Sequence, residues 1–141
     1  MVSAAVTPRV RIMAICDRVR ESRTEAGVFD LKGVRQQLLA DAFPFVPSRL
    51  WLFLVLTSPR ACDFASYIRL LHDRTDRTVF YSYVRPRPRF GPDGGFLSYR
   101  VPIQCTFPEA GRYTVQVWFY QAEGSDVLKA ELPLGLAMRG W

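Results

Sequence analysis

Apolar and polar residues alternate in short segments along the whole chain. Alternation with a period of two, in segments rich in β-branched and aromatic residues and bounded by turn residues, is typical of β-strands. Such segments recur roughly seven to eight times, with turn signals about every 8–12 residues and without a long amphipathic helix. The pattern predicts an all-β fold, a single antiparallel β-sandwich, with residues 1–141 forming one domain.

The first third of the chain carries the least regular part of the pattern. Residues 9–16 are predicted to form a strand whose even-numbered residues are buried, followed by a polar connection as far as Gly27. Residues 27–34 are predicted as a second strand leading into an irregular turn, although the apolar residues of 31–42 also fit one face of a short helix. The prolines that follow end any helix there, because each lacks an N–H group.

Residues 51–56 are apolar in both phases of a strand. An exposed edge strand of this composition would promote aggregation, so we expect a central strand or one covered on both faces. Pro102 lies in another alternating segment and restricts that strand to a sheet edge or to a bulge. The later predicted strands are a hairpin of 64–73 and 78–84, then 97–105, 113–119 and 128–134.

The run FPEAGRYTVQV at residues 107–117 resembles the corner before the penultimate strand of immunoglobulin-like and related bacterial β-sandwich domains. In those domains a Pro-x-x-Gly-x-Tyr run turns the chain from one sheet to the other. We therefore expect a positive φ at Gly111 and a buried Tyr113 whose hydroxyl group bonds backbone across the corner. Val115 stands where antibody domains carry the second cysteine, which excludes an antibody-like disulfide.

A wider resemblance covers most of the chain. The run GVFDLKGV at residues 27–34, followed by Phe43-Pro44 and the apolar strand from Trp51, is similar to a group of small uncharacterised bacterial proteins of about this length. The resemblance implies a β-sandwich that is immunoglobulin-like or a related Greek key. It implies no activity.

The composition is that of an ordinary globular protein, with 49% hydrophobic and 23% charged residues in 141. The first residues lack a basic segment followed by an apolar one, and the longest apolar run, 50–56, is far shorter than the roughly 20 residues of a spanning helix. We therefore expect a cytoplasmic protein. The three widely spaced cysteines, Cys16, Cys62 and Cys105, are predicted to be small buried hydrophobic residues rather than a disulfide framework.

Residue types that carry catalysis or bind metals are sparse. The single histidine, His72, has no nucleophile or orienting acid at a recognisable spacing and is predicted to be a solvated turn residue. No CxxC or HxxxH pair and no glycine-rich phosphate loop occurs in the sequence. The acids that follow predicted strands are interpreted as solvated turn residues rather than calcium ligands: Asp63, Asp73 and Asp76. The sequence predicts no enzyme, no cofactor, no metal and no small-molecule substrate.

The net charge of +6 comes from 17 Arg and two Lys against 13 acids. The clearest concentration of this charge is the projecting loop Arg85-Pro-Arg87-Pro-Arg89-Phe90. Its prolines favour a stiff polyproline II conformation, which limits the entropy lost on binding. Arginines on such a loop can contact phosphate, an acidic protein surface or a proline-recognising groove. The alternative is that the loop is only a stiff, soluble connection between strands.

Trp118 and Tyr120 lie on the outward phase of their strand, opposite the residues predicted to enter the core. Outward aromatic residues form stacking platforms for carbohydrate or nucleic acid, or subunit interfaces, of which self-association is the simplest. The predicted function is a non-enzymatic protein–protein interaction or structural module that forms homo-oligomers. Its partner-binding residues are Arg85, Arg87, Arg89, Phe90, Trp118 and Tyr120. The alternative is an anion-binding module that holds nucleic acid or an acidic membrane surface through the Arg-Pro loop.

Overall fold

The computed structural model describes residues 8–62, 64–84, 90–120 and 124–140. These residues contain nine β-strands and no helix, and therefore no helix that could cross a membrane. The strands are β1 (Arg9–Glu21), β2 (Phe29–Val34), β3 (Gln37–Ala40), β4 (Trp51–Ser58), β5 (Ser66–His72), β6 (Thr78–Tyr83), β7 (Gly95–Pro102), β8 (Gly111–Phe119) and β9 (Val127–Met138).

The strands form two sheets with the main core between them. One sheet has four strands in the order β2-β1-β4-β7, and the other has five in the order β3-β9-β8-β5-β6. The all-β sandwich is thus confirmed. Two details differ from the prediction: the described residues contain nine strands, and β3 runs parallel to β9. The short strand β3 begins after a two-residue break from β2 but belongs to the other sheet. This break contains no glycine or proline, so the sequence did not indicate that the chain crosses between the sheets here.

The strand β1 is longer than predicted and its phase changes near its start. The polar residues after Cys16 continue the strand, because they pair with β2 at the solvent-exposed edge of the sheet. The register with β4 shifts between Val10 and Ile12, and this bulge leaves Ile12 exposed while Ile15 is fully buried. The prediction that every even-numbered residue from 10 to 16 is buried was therefore wrong.

The strand β4 lies between β1 and β7 and is buried on both faces, as its composition predicts. Leu52, Leu54 and Leu56 face the main core. Phe53 and Val55 belong to a second cluster on the other face, which β1 and β2 cover. The remaining members of this outer cluster are Cys16, Val19, Phe29, Leu31 and Trp51.

The second half of the chain follows the predicted order of strands. β5 and β6 form the expected hairpin, and β7, which ends at Pro102, is an edge strand of its sheet. The residues of β8 predicted to be in the core are buried: Tyr113, Val115, Val117 and Phe119. All three cysteines are free; Cys16 is fully buried and the other two are partly buried.

The corner before β8 has the predicted geometry. Gly111 has a φ of 137°, and the buried Tyr113 donates a hydrogen bond of 2.7 Å from its hydroxyl group to the carbonyl oxygen of Glu109. The Tyr113 ring also packs edge-on against Phe107 and His72, with centroid distances of 5.0 and 4.6 Å. The corner thus joins the end of β5 to the start of β8.

His72 is buried in this corner, so its assignment as a solvated turn residue was wrong. Its Nδ1 accepts a hydrogen bond from the backbone N–H of Arg74, and its Nε2 lies 3.3 Å from a carboxylate oxygen of Glu109. A hydrogen bond from the Arg74 side chain lowers the pKa of Glu109 and holds that carboxylate beside the ring. The histidine is buried because it has the same phase as Ile68 and Leu70, which face the core.

Replacing Tyr113 by phenylalanine is expected to lower the free energy of unfolding by about 1–3 kcal/mol, because the carbonyl of Glu109 loses its partner. Urea unfolding monitored by tryptophan fluorescence measures this difference. Tyr120→Phe is the matched control, since this tyrosine is exposed and its hydroxyl has no hydrogen bond to the described residues. Equal stability of both variants and the wild type would contradict the hydrogen bond at the corner.

Candidate binding surfaces

Of the predicted residues of the Arg-Pro loop, the structure describes only Phe90. Arg85, Arg87 and Arg89 lie outside the described residues. Phe90 is described and is only 3% exposed, with its ring 5.7 Å from that of Phe64. The assignment of Phe90 to a partner-binding surface was wrong, because this ring packs into the main core.

Trp118 lies on the outward phase of β8 and Tyr120 directly follows the strand, but the structure does not bring their rings together. Trp118 is half-buried and donates a hydrogen bond of 2.8 Å from Nε1 to the side-chain oxygen of Gln116. Tyr120 follows the end of the strand, is 58% exposed and contacts none of the other described rings. The partner of Trp118 is instead Tyr67 of β5.

Four rings form one continuous cluster on the outer face of the five-stranded sheet, and we call this cluster the aromatic face: Tyr67, Tyr81, Tyr83 and Trp118. The register places Trp118, Tyr67 and Tyr83 side by side on β8, β5 and β6. The rings of Tyr67 and Trp118 are parallel, with centroids 6.2 Å apart. Tyr67 lies 5.1 Å from Tyr81 and 6.5 Å from Tyr83, and those two rings are 5.5 Å apart.

Polar groups border the aromatic face and are already hydrogen bonded. Tyr67 donates a hydrogen bond of 2.7 Å to the carboxylate of Asp126. Gln116, which accepts from the Trp118 ring, donates to Glu131 at 3.1 Å. Burial together with the nearby carboxylate raises the pKa of Tyr67 to about 12. A hydrogen bond with Tyr83 and partial burial raise the pKa of Tyr81 to about 12. Both phenols are therefore neutral hydrogen-bonding groups at neutral pH.

The sequence reasoning placed Tyr81 and Tyr83 among the outward rings but named only Trp118 and Tyr120 as partner-binding residues, and it did not consider Tyr67. The alternation of the hairpin tyrosines with Ile68 and Phe80 placed them on the outward side of the predicted hairpin, so the signal was present. Whether rings on three strands meet depends on the register, since a slip of one residue moves a side chain to the other face. In the described ranges, no three histidine, cysteine or acidic residues are grouped so that they could hold a metal ion.

Comparisons with known proteins extend the description of the fold. No protein-family model and no curated protein matches the sequence. Among solved structures, the C-terminal domain of Wzt is similar, with a TM-score of 0.54, 8% sequence identity, and coverage of 92% of this chain and 72% of that one. The soluble domain of PmoD from Methylocystis sp. ATCC 49242 (Rockwell) gives a TM-score of 0.37 at 11% identity, covering 91% and 96% of the two chains. At 8% identity the first similarity supports the β-sandwich fold alone.

Proposed function

We propose that this domain is a non-enzymatic interaction module and that its aromatic face binds a second copy of the chain. One observation carries the proposal: four aromatic rings from three neighbouring strands form a continuous cluster on an outer sheet face. Two of these rings, Tyr81 and Tyr83, are 49% and 53% exposed although they already pack against each other. A contiguous apolar patch of this kind marks a binding surface more often than scattered hydrophobic residues do.

The chemistry of the aromatic face suits a protein interface. Tyrosine and tryptophan are enriched at the centres of interfaces, because their rigid rings bury a large area while few side-chain rotations are lost. The polar atoms of Tyr67 and Trp118 have their partners within the same domain. Association would therefore bury these atoms without leaving them unpaired, which removes the main penalty of burying polar groups.

The charges around the aromatic face favour a second copy as the partner. The chain carries a net charge of +6, so two copies repel each other over most orientations. Three charged side chains form hydrogen bonds at or beside this face. They are Asp126 with Tyr67, Glu131 with Gln116, and Arg69 with Thr78, which gives two acids and one base. These three residues together carry no positive excess, and two such faces can meet about a two-fold axis.

The topology of the sandwich is also proposed to be immunoglobulin-like. Two features support this. The strand β3 leaves the neighbourhood of β2 and pairs beside the last strand, β9, in the other sheet. The buried tyrosine at the start of β8 bonds backbone upstream, as the tyrosine corner of immunoglobulin domains does. Domains of this architecture have many functions, so the topology by itself assigns none.

Replacing both Tyr81 and Tyr83 by serine is expected to raise the dissociation constant of the dimer by a factor of about 30 or more, because interface rings contribute about 2 kcal/mol or more together. Light scattering after gel filtration, over a series of protein concentrations, measures the change. The matched control is Phe96→Ser with Val34→Ser, which removes two exposed apolar side chains from the other sheet. This control should dimerise like the wild type.

Two results would contradict the proposal. The wild type would be monomeric at its highest soluble concentration, or the control variant would lose the dimer as readily as the Tyr81 and Tyr83 variant. Thermal unfolding of each variant shows that it is folded before its oligomeric state is compared. Tyr120→Ser, made separately, tests whether the outward tyrosine predicted from the sequence belongs to the same interface.

A further inference from the structure

A second exposed feature lies on the opposite side of the sandwich, at the end where β1 starts, β4 ends and β7 starts. The register places Arg9, Thr57 and Phe96 side by side on these three strands. With Arg11, Ser58 and Pro59 they line an open depression, which we call the basic groove. The strand β2 does not cover this end of the sheet, because the outer cluster contains no residue of β4 beyond Val55.

Phe96 is unusual because it is 78% exposed, more than any other large apolar residue in the described ranges. The next residue, Leu97, packs against the main core. Because side chains alternate between the two faces of a strand, Phe96 points outward. No described ring packs against it. One face of an aromatic ring is therefore available to a ligand at this end of the sheet.

Within the part of the chain that the structure describes, no acid neutralises the arginines of the basic groove. Arg35, Arg74 and Arg139 form salt bridges with described acids, whereas neither Arg9 nor Arg11 has a described carboxylate within salt-bridge distance. Arg11 donates a hydrogen bond of 2.8 Å from Nε to the hydroxyl oxygen of Thr57. This bond holds the guanidinium group at the groove and leaves its terminal nitrogens available for an anion.

The positive charge continues along the same side of the sheet. Arg100 lies four residues after Phe96 on β7, about 13 Å along the strand, and has the same outward phase. It donates a hydrogen bond of 3.2 Å to the carbonyl oxygen of Val19 and lines a second depression together with Arg18, Arg20 and Arg23. Glu21 is the acid in that depression, so its four arginines leave a positive excess. An extended polyanion several units long can follow this line of arginines.

We propose that the basic groove binds single-stranded nucleic acid, with one base stacked on Phe96 and the adjacent phosphates on Arg9 and Arg11. Proteins that bind single strands combine a positive surface along the backbone with aromatic rings for the bases, and both parts are present here. A membrane surface or a rigid duplex would use the charge but would not require an isolated ring beside two arginines. The site lies on the opposite sheet from the aromatic face and does not depend on dimerisation.

Fluorescence anisotropy with a labelled oligothymidylate of about 12 nucleotides, a typical site size, tests the proposal. Arg9→Gln with Arg11→Gln should weaken binding and reduce the slope of log affinity against log salt by about 1.4, since each phosphate no longer neutralised accounts for about 0.7. Phe96→Ser should weaken binding by about 5- to 150-fold, the range for loss of one stacked base, without changing the salt slope. These two signatures differ, so each part of the site is tested separately.

The matched control is Arg77→Gln with Arg112→Gln, which removes the same charge from exposed positions near the other sheet. It should bind nearly as the wild type does. The proposal is overturned if the control loses as much affinity as the Arg9 and Arg11 variant. It is also overturned if replacing Arg85, Arg87 and Arg89 by glutamine abolishes binding while the groove variants bind normally. Tighter binding to the matching duplex, or to vesicles of phosphatidylserine and phosphatidylcholine, would equally reject a single-stranded ligand.

Discussion

Replacing Gly94 by alanine is expected to lower the free energy of unfolding by about 2–6 kcal/mol, the sum of backbone strain and of a steric conflict. Gly94 has a φ of +72°, where a side chain is strained. An added Cβ atom would also lie 2.1 Å from the carbonyl oxygen of Ser58 and 2.7 Å from the backbone nitrogen of Arg60. Those atoms belong to the backbone, which cannot rotate away as a flexible side chain would.

The turn that Gly94 touches is itself held in place. The hydroxyl group of Ser58 donates a hydrogen bond of 2.7 Å to the carbonyl oxygen of Arg60, directly after β4. Gly94 precedes β7, and Ser58 pairs with Gly95 in the register of the two strands. A conflict at this position would therefore separate the paired ends of β4 and β7 or force the turn to open.

Alanine variants of two other glycines distinguish the contribution of backbone strain from that of the steric conflict. Gly27 has a similar φ of +78° but no atom within 4 Å of an added Cβ, so Gly27→Ala should show only the backbone strain, about 1 kcal/mol. Gly91 has open space and no positive φ, so Gly91→Ala should change stability by less than about 0.5 kcal/mol. Urea unfolding measures all three variants. If Gly94→Ala is no less stable than Gly27→Ala, the close approach of Gly94 to the 58–60 turn is wrong.

The strands were predictable where a segment has one buried and one exposed face. In β8 the core residues Tyr113, Val115 and Val117 alternate with residues of the other phase, and the alternation continues to the end of the strand. The corner before β8 was predictable for a different reason. Gly111 and Tyr113 have fixed local roles, a positive φ and a hydrogen bond four residues upstream, which do not depend on the rest of the fold.

The positions that sequence reasoning missed depend on distant contacts. Phe90 follows a run of arginines and prolines in the sequence, and only its packing against Phe64, which precedes β5, shows that its ring is buried. The bulge at the start of β1 exposes Ile12, and no glycine or proline marks it. His72 is different, because its phase with Ile68 and Leu70 indicated burial but its polar character favoured a turn. Its Nδ1 accepts a hydrogen bond from the backbone N–H of Arg74, whereas its Nε2 makes no hydrogen bond with the described residues and lies 3.3 Å from a carboxylate oxygen of Glu109.

For the aromatic face, the sequence pattern predicts which side chains point outward but not which of them are neighbours. The phase of each strand correctly directed Trp118 and Tyr83 outward, and it would have directed Tyr67 outward as well. Only the register of β5 with β6 and β8 shows that these three rings are neighbours while Tyr120 lies apart from them. The basic groove is similar, since Arg9 and Phe96 are 87 positions apart in sequence and meet through their common neighbour Thr57.

Replacing Phe53 by alanine is expected to lower the free energy of unfolding by about 3–5 kcal/mol, the usual range for removal of a buried phenylalanine ring. Phe53 faces away from the main core, yet it is almost fully buried. Its ring lies 5.0 Å from that of Phe29 in β2, and the cluster also contains Val19 of β1. Loss of this ring would leave a cavity beneath the β1–β2 hairpin and remove much of what holds that hairpin over the sheet.

Phe96→Ala is the matched control for Phe53→Ala, because it removes the same side chain from the same side of the same sheet at an exposed position. It should change stability by less than about 0.5 kcal/mol. Urea unfolding compares the two free energies, and hydrogen exchange shows whether the amides of β2 lose protection in Phe53→Ala before the rest of the domain does. Similar stability of the two variants would mean that the outer cluster does not cover β4. The two-sided apolar pattern of residues 51–56 would then have no second core to explain it.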